Sequence, residues 1–390
     1  MTHLAIILSL VFSVLSMQVN AQELSRSVAS KVHQAYELQS KDNNATAIQI
    51  LEKIRGRHAY DTAVVQRMLG ILYWQQKQNI QAEEALFQAV KVNGLPIEQQ
   101  IETQRMLGDI QLSNGHTDKA LMTYQQVIAQ NNQHKVLDAK SIQSIWLRIA
   151  QGHYRQQQWQ EVTTAIGGYH SSGGKVTVPV LNLQLGAQLS LQRWHSALKS
   201  TLMLRGFEPK QSRWWLQALN LYLRVENFPQ ALATLKQYER AGFALSDAQY
   251  RLMAQLYAKQ KVPQKAAEIL HRLNKQDNRQ GKDLAMEAQY WQQARYWSHA
   301  LQAWSRATSL DSQYRWSYIQ LLMTNKNYQT ALVELDKVTR SARRELSRVN
   351  AYYHLGKFPQ ALHYAQKANQ IKTSESTLSW IRYLNQLTQP

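Results

Sequence analysis

The 390-residue sequence contains no cysteine, and only 15 of its residues are glycine and 7 are proline. Without cysteine there can be no disulfide scaffold, no cysteine-ligated zinc or iron–sulfur site, no thiol nucleophile and no lipidated N-terminal cysteine. Glycine and proline mark turns, and sandwiches, barrels and doubly wound sheets use many of them. Their scarcity therefore favours an all-α fold.

Acidic residues are also few, because 26 Asp and Glu stand against 45 Lys and Arg, which gives a net charge of +19. Hydrophobic residues make up 44% of the chain and charged residues 18%, and this balance excludes a wholly disordered, highly charged chain. The basic excess would suit a nucleic acid, but the cations are spread along the chain and no nucleic-acid-binding motif occurs. We therefore expect no nucleic-acid partner. Acidic proteins, anionic lipid headgroups and cell-wall polymer are the other anions that this charge could match.

The first 21 residues have the features of a secretory signal peptide. An apolar run from Leu4 to Leu15 is followed by Val19 and Ala21, which are small residues at positions −3 and −1 of a cleavage site. The run is shorter than the roughly 20 residues that span a bilayer. The segment before it carries no Lys or Arg, so an uncleaved anchor is the alternative. We expect a periplasmic protein that is cleaved after Ala21 and has no transmembrane span in its mature part.

One pattern recurs through residues 22–390 at spacings of 30 to 42 residues, close to the roughly 34-residue period of tetratricopeptide repeats (TPRs). Each repeat of the pattern predicts a hairpin of two helices. Small residues let the helices approach closely, and large residues fill the space between repeats. The small residues of the ten second helices are Ala47, Ala82, Ala120, Val162, Ala197, Ala231, Ala266, Ala300, Ala331 and Ala361. The sequence therefore predicts an all-α, TPR-type solenoid of about ten repeats, wound as a right-handed superhelix.

Two parts of the chain depart from the regular period, and its end predicts a cap. Asn131-Asn132-Gln133 falls in the longest interval and GGYHSSGG in the next connection, at 167–174, so both predict longer surface loops. The second is the candidate for a flexible break, at 163–180. A capping helix at about 376–388 would cover the last repeat with one face. That face consists of Leu378, Ile381, Leu384 and Leu387.

Four tryptophans lie within a short stretch, interleaved with tyrosine and arginine, as they would be on a surface that stacks bases or sugars. Trp291, Trp297 and Trp304 fall on positions that TPRs fill with large residues, so packing in the core explains them. Trp316 falls on a position that faces the inner groove.

No motif for catalysis or cofactor binding is present. Gly168 and Gly173 have the spacing of phosphate-loop glycines, but Gly174 stands where that loop requires lysine. His354 and His363 lie nine apart with no acidic cluster nearby, and neither HExxH nor Gly-x-Ser-x-Gly occurs. We expect no enzymatic activity, no cofactor and no metal ion.

A TPR array presents an inner surface formed by its first helices. In the TPR pattern, the exposed inner residues lie six or three before the small residue of the first helix, or one, four and five after it. Applied to the second to seventh repeats, these offsets predict a mostly basic groove in which Glu102 and Asp109 are the acids. Its other predicted residues are Arg67, Trp74, Arg105, Tyr154, Arg155, Arg213, Asn220, Arg224, Arg251, Gln255 and Lys259. The alternative is that these cations merely populate a solvated surface.

Several strings resemble the periplasmic TPR proteins encoded beside TonB–ExbB–ExbD energy-transducing systems of marine gamma-proteobacteria. They are LGILYWQ (69–75), WLRIAQGHY (146–154), LNLQLGAQLSLQRW (181–194), AQLYAKQKVPQKAAEIL (254–270), YRW (314–316) and KANQIK (367–372). The resemblance covers essentially the whole mature chain and brings no catalytic or ligand residues with it. It implies a non-enzymatic accessory of TonB-dependent transport, for instance of iron–siderophore complexes. Its partner would be an acidic segment of an inner-membrane energy-transducing complex.

Two other functions stay open at this point. The protein could be an adaptor in envelope assembly or polysaccharide export, or it could bind cell-wall polymer through basic and aromatic groove residues. Co-purification from detergent-solubilised membranes would distinguish these two functions from the role in TonB-dependent transport.

Overall fold

The structure is a computed structural model that describes residues 23–274 and 280–388. The predicted signal peptide and its cleavage site after Ala21 lie outside the described residues. The chain divides between Phe207 and Glu208 into two compact units, each of which is described by itself. Within the described ranges, no helix has the length and apolar character needed to cross a membrane.

Over its described residues, 23–207, the first unit forms five helical hairpins, each of two consecutive helices. They are α1 (Arg26–Ser40), α2 (Asn44–Glu52), α3 (Ala59–Gln75), α4 (Asn79–Val92), α5 (Ile97–Ser113), α6 (Thr117–His134), α7 (Ala139–Arg155), α8 (Trp159–Ser171), α9 (Val178–Ser190) and α10 (Trp194–Phe207).

In 208–274 and 280–388, the second unit has five more hairpins, followed by one single helix. They are α11 (Ser212–Arg224), α12 (Phe228–Arg240), α13 (Asp247–Lys259), α14 (Pro263–Leu273), α15 (Gly281–Gln293), α16 (Trp297–Leu310), α17 (Arg315–Thr324), α18 (Tyr328–Asp336), α19 (Ala342–His354), α20 (Phe358–Ile371) and α21 (Glu375–Thr388). A short 3₁₀ turn, Ser312–Tyr314, precedes α17.

The ten small residues that define the repeat pattern all lie in second helices and are completely buried. Close approach of two helices explains this burial. A β-carbon added to Gly70 of α3 would lie 2.5 Å from Leu86 Cγ of α4, so only glycine fits there. No strand occurs in the described part of the chain. The all-α, TPR-type repeat fold predicted from the sequence is confirmed.

All ten hairpins turn in the same way. The residue five before each buried small residue has a left-handed backbone, as in Lys77 (φ 61°) and Gly115 (φ 82°). In the second hairpin, the amide of Gln78 donates to Tyr73 O at 2.8 Å and the amide of Lys77 donates to Trp74 O at 2.9 Å. This pair of bonds closes the C-terminus of a first helix before the second begins. Only two of the ten left-handed residues are glycine.

Neither predicted long loop is present. Residues 131–133 extend α6, and the side chain of Asn131 is buried and accepts from the amide of Leu137 at 2.7 Å. Most of 167–174 belongs to α8 or to the turn that ends it. There the amide of Gly174 donates to Tyr169 O at 3.0 Å. The extra residues lengthen or close helices because their polar groups find local partners. Flexibility of 163–180 stays a prediction, although the boundary between the two compact units lies elsewhere.

The aromatic predictions are partly confirmed. Trp291 and Trp304 are buried, but Trp297 is 40% exposed, so its assignment to the core was wrong. Trp297 is the first residue of α16 and directly follows the hairpin turn, where fewer neighbours cover a side chain.

The C-terminal helix α21 packs on the last repeat through Leu384, which is fully buried, and through the partly buried Ile381. Leu378 and Leu387 are 44% and 42% exposed, so only two of the four residues of the predicted face pack against the last repeat. The contact of α21 with the last repeat is therefore centred on Leu384.

Candidate functional site

The second unit contains a groove of about 940 Å³ along the first helices of its last repeats. Its lining comes mainly from α17 and α19. The inner offsets of the TPR pattern, carried on to these two helices, select seven of the lining residues: Trp316, Gln320, Met323, Thr324, Arg343, Leu346 and Asn350. We call this surface the C-terminal groove. Trp316 therefore lies where the sequence predicted, facing the groove.

Three kinds of side chain line the C-terminal groove. Met323 and Leu346 are apolar, and Gln320 and Asn350 offer amides. Arg343 and Lys372 supply positive charge, and the Arg343 guanidinium carbon lies 4.1 Å from the centre of the Trp316 ring. Neither Asp nor Glu is among the described residues that line it. Amides can pair with an extended peptide backbone, and the cations can pair with carboxylates.

The five predicted groove residues of the first unit differ in environment. Trp74 is exposed, and Tyr154 packs edge-on against Trp159 with ring centres 5.2 Å apart. Arg155 is exposed and donates to Leu112 O at 3.3 Å. Burial lowers the pKa of Arg67, with Glu102 acting in the opposite direction, and Arg67 Nε has no hydrogen-bond partner among the described atoms.

Arg105 belongs to a local charge cluster. Its guanidinium lies 2.8 Å from Glu102 Oε2 and 3.7 Å from Asp109 Oδ2. Asp109 also accepts a 2.6 Å hydrogen bond from the Tyr124 hydroxyl, and burial together with the Asp109 charge raises the pKa of Tyr124. The two acids recognised in the sequence thus offset the charge of Arg105.

Six predicted residues belong to the second unit. Asn220, Arg224 and Gln255 are exposed. Lys259 is exposed as well, and its Nζ lies 3.4 Å from the centre of the Phe228 ring. Arg213 is exposed and contacts Glu208 at 3.2 Å, and it stacks over Trp214 at 4.3 Å.

Arg251 differs from the other five, because it forms a two-pronged ion pair with Asp283. Arg251 Nε lies 2.7 Å from Asp283 Oδ1, and Arg251 Nη2 lies 2.8 Å from Asp283 Oδ2. The hydrogen bonds to Asp283 raise the pKa of Arg251. Its charge is therefore already paired within the fold.

No family model and no curated protein matches the chain. Among solved structures, it is similar to a TPR protein from Parabacteroides merdae, with 12% identity over 68% of this chain and 99% of that one (TM-score 0.38). A TPR protein fragment from Cytophaga hutchinsonii matches with 13% identity over 72% and 95% (TM-score 0.38). YrrB, described as a TPR protein with an unusual peptide-binding site, matches with 16% identity over 48% and 100% (TM-score 0.35).

A second cavity, of about 510 Å³, lies beside the buried carboxylate of Glu287. Glu287 accepts from Asn274 at 2.8 Å and Arg306 at 2.9 Å, and His271 Nδ1 lies 2.8 Å away. Partners from α14, from the residue that ends it and from α16 thus satisfy the buried charge, which gives this cluster a structural role. In the described ranges, no group of three or more His, Asp or Glu could hold a metal ion.

The residues missed from the sequence are those of the C-terminal groove other than Trp316. The inner offset of the TPR pattern marks these residues in the ninth and tenth repeats, as it marks Trp316. The shorter spacing of the last two repeats does not disturb the offset, because it is counted within one hairpin.

Proposed function

We propose that the protein is a non-enzymatic interaction scaffold whose C-terminal groove holds an extended, acidic segment of a partner protein. The observation that carries the proposal is the lining of the groove, which combines an aromatic ring, amides and two cations without a carboxylate among its described residues. Trp316 and Leu346 would take an apolar side chain of the segment, and Arg343 and Lys372 would pair with its carboxylates.

The affinity should be modest and depend on several contacts together. An exposed ion pair contributes only about 0–1 kcal/mol, so the two cations alone cannot hold a partner tightly. A buried aromatic anchor usually supplies the larger part of the binding energy. Because same-sign charges steer an acidic partner, the association rate should fall steeply as salt is added.

A charge reversal with a close control tests the groove. The probe is a labelled synthetic peptide in which Glu alternates with Leu and Phe, and its binding is followed by fluorescence anisotropy. Arg343→Glu should weaken binding at least about tenfold. Arg340→Glu makes the same charge change three residues earlier, at an exposed position outside the lining, and should change binding less than about twofold. Equal effects of the two variants would contradict the proposed site.

Predicted inner residues of the same unit extend the proposed surface. Arg213, Asn220, Arg224, Gln255 and Lys259 are exposed on α11 and α13. In the first unit, Trp74 and Arg155 are exposed at corresponding inner positions. Arg105, Arg213 and Arg251 contribute less net charge to a partner, because acids of the fold already pair with them.

The setting that we propose is the periplasm, with the scaffold serving TonB-dependent transport such as iron–siderophore uptake. Two features support it: the apolar leader with its predicted cleavage site after Ala21, and the strings that resemble TonB-associated TPR proteins. Among the described residues, the first helix begins at Arg26, after the proposed cleavage position. Mass spectrometry of the periplasmic protein should find Gln22 as the first residue, and an intact Met1 on a membrane-bound chain would contradict export with cleavage.

Co-purification from detergent-solubilised membranes tests the partner. Recovery of an inner-membrane energy-transducing complex with the wild type, and its loss with Arg343→Glu, would support the transport role. Porins or secretion subunits would favour an adaptor in envelope assembly or polysaccharide export. Glycan fragments would favour a cell-wall polymer binder.

A further inference from the structure

The hairpin turns of the second unit carry an unusual concentration of positive charge. In its last four hairpins, either the left-handed turn residue or the residue after it is basic. These residues are Lys261, Arg295, Lys326 and Lys357, and all four are exposed. No side-chain hydrogen bond or ion pair to another described residue occupies any of them. We call this set the basic turn edge.

Acids are excluded from the same turns. Neither Asp nor Glu occurs at 259–264, 293–298, 324–329 or 354–359. The turns of the first unit differ, since they are rich in Gln and Asn and include Asp42 and Asp118. In the first unit, Lys or Arg meets the same criterion in two of the five turns, at Lys77 and at Arg193, and the Arg193 side chain donates to Gln160 Oε1. The basic turn edge is therefore an unbroken series of four basic turns, which the first unit does not have.

Exposed apolar groups accompany these cations. Val262, Tyr296 and Trp297 are 40%, 43% and 40% exposed. Val262 directly follows Lys261 of the edge, and Tyr296 and Trp297 are the two residues after Arg295.

Side-chain contacts join the first turn to the second and the third to the fourth, where the Tyr328 and His354 rings stack with centres 4.9 Å apart. Tyr296 Oη donates to Gln264 Oε1 of the preceding hairpin at 3.3 Å. Amphipathic aromatic rings beside unpaired cations are the composition that favours the boundary between lipid headgroups and acyl chains.

We propose that the basic turn edge binds the surface of an anionic phospholipid bilayer. Lys261, Arg295, Lys326 and Lys357 would pair with headgroup phosphates, and Trp297 with Tyr296 would enter the interfacial layer. None of these residues lines the C-terminal groove, so the two surfaces use different side chains. The proposal is independent of the groove's function.

Vesicle co-sedimentation tests the edge, with the chain from residue 22 onward, since the apolar segment 4–15 would itself bind lipid. Wild type should sediment with vesicles of phosphatidylcholine and phosphatidylglycerol, and not with phosphatidylcholine alone. Raising the salt from about 0.1 M to about 0.5 M should release it. Failure of the wild type to bind the anionic vesicles would overturn the proposal.

Substitution by glutamine removes the charges without adding backbone strain, because Gln157 and Gln192 already occupy the same left-handed position in other hairpins. The variant K261Q/R295Q/K326Q/K357Q should lose partitioning by roughly a hundredfold. The control K210Q/K236Q/R340Q/R382Q makes the same change of net charge at exposed sites outside the edge. It should stay within about threefold of the wild type.

Equal losses of vesicle binding in the two quadruple variants would show that net charge alone drives binding, and would overturn the proposed role of the basic turn edge. At about 0.1 M salt, where the wild type is bound, Trp297→Gln should also weaken partitioning, because it removes the apolar contact with the interfacial layer. Wild-type binding by this variant would refute the interfacial role of Trp297. Retention on immobilised polyglutamate, without any binding to anionic vesicles, would assign the edge to a soluble polyanion instead.

Discussion

Arg251 of α13 and Asp283 of α15 form a bidentate ion pair between neighbouring repeats, with both nitrogen–oxygen distances at 2.7–2.8 Å. Asp283 is buried, with only 4% of its side chain exposed, whereas Arg251 retains 28%. A buried carboxylate is costly unless it is paired and hydrogen-bonded. The pair therefore ties two repeats together and restricts the role of a residue that the sequence assigned to the groove.

Arg251→Gln should destabilise the second unit by about 2 kcal/mol, because it leaves the Asp283 carboxylate buried without its counter-charge. Asp247→Asn is the control, since Asp247 is half exposed and lies 3.9 Å from the same guanidinium. It should cost less than about 1 kcal/mol. Urea denaturation measures both, and hydrogen exchange should show faster opening of α13 and α15 in Arg251→Gln.

A double variant shows whether the loss belongs to the pair. Arg251→Gln with Asp283→Asn should be less destabilising than the sum of the two single changes. Additive losses would contradict a direct coupling. The same reasoning removes Arg251 from any charge-reversal test of the groove, since Arg251→Glu would place two carboxylates side by side and unfold the region for a structural reason.

Left-handed turn residues other than glycine should store strain. Gln157 and Gln192 have φ values of 58° and 55°, a region that costs a non-glycine residue about 1 kcal/mol or more. Each Gln→Gly change should raise stability by about 0.5–1 kcal/mol after the entropy of glycine in the unfolded chain is subtracted. Gly115→Gln is the reverse experiment and should lower stability by a similar amount. An added β-carbon there meets no atom within 4 Å, so backbone strain alone is measured.

The sequence predicted the architecture well because the repeat signal is local. A small residue such as Ala300 marks a close helix crossing, and its spacing to the first helix is fixed within one hairpin. The ion pairs could not be predicted from the sequence in this way. The partner of Arg251 lies 32 residues away in another repeat, and no motif marks it. Exposure of Trp297 likewise depends on the shape of the turn, which the large-residue pattern does not encode.

The connector within 163–180 offers a direct test of the predicted flexible break. The Tyr169 hydroxyl donates to Lys175 O at 2.9 Å, and Gln143 Nε2 donates to Ser172 O at 2.8 Å. Tyr169→Phe removes the first of these bonds and should speed tryptic cleavage after Lys175 several-fold. If 163–180 is the most flexible part of the mature chain, wild type should also be cut there first. Earlier cleavage elsewhere would refute the flexible break.

Stability at acid pH should depend on Asp61, which is fully buried at the start of α3. Burial alone would raise the pKa of Asp61, but hydrogen bonds from Ser25 N–H, Ser25 O–H and Arg57 N–H outweigh it and hold the pKa below its usual value of about 3.9. The unfolded state therefore binds the proton more readily, so this contribution to stability is present above about pH 4 and is lost as the pH falls through the folded-state pKa.

Asp61→Asn should cost about 2 kcal/mol at neutral pH. Its melting temperature should converge on that of the wild type below about pH 4, whereas the surface control Asp42→Asn should follow the wild type throughout. A gap between Asp61→Asn and wild type that stays constant down to the lowest pH at which both fold would contradict this role for the carboxylate.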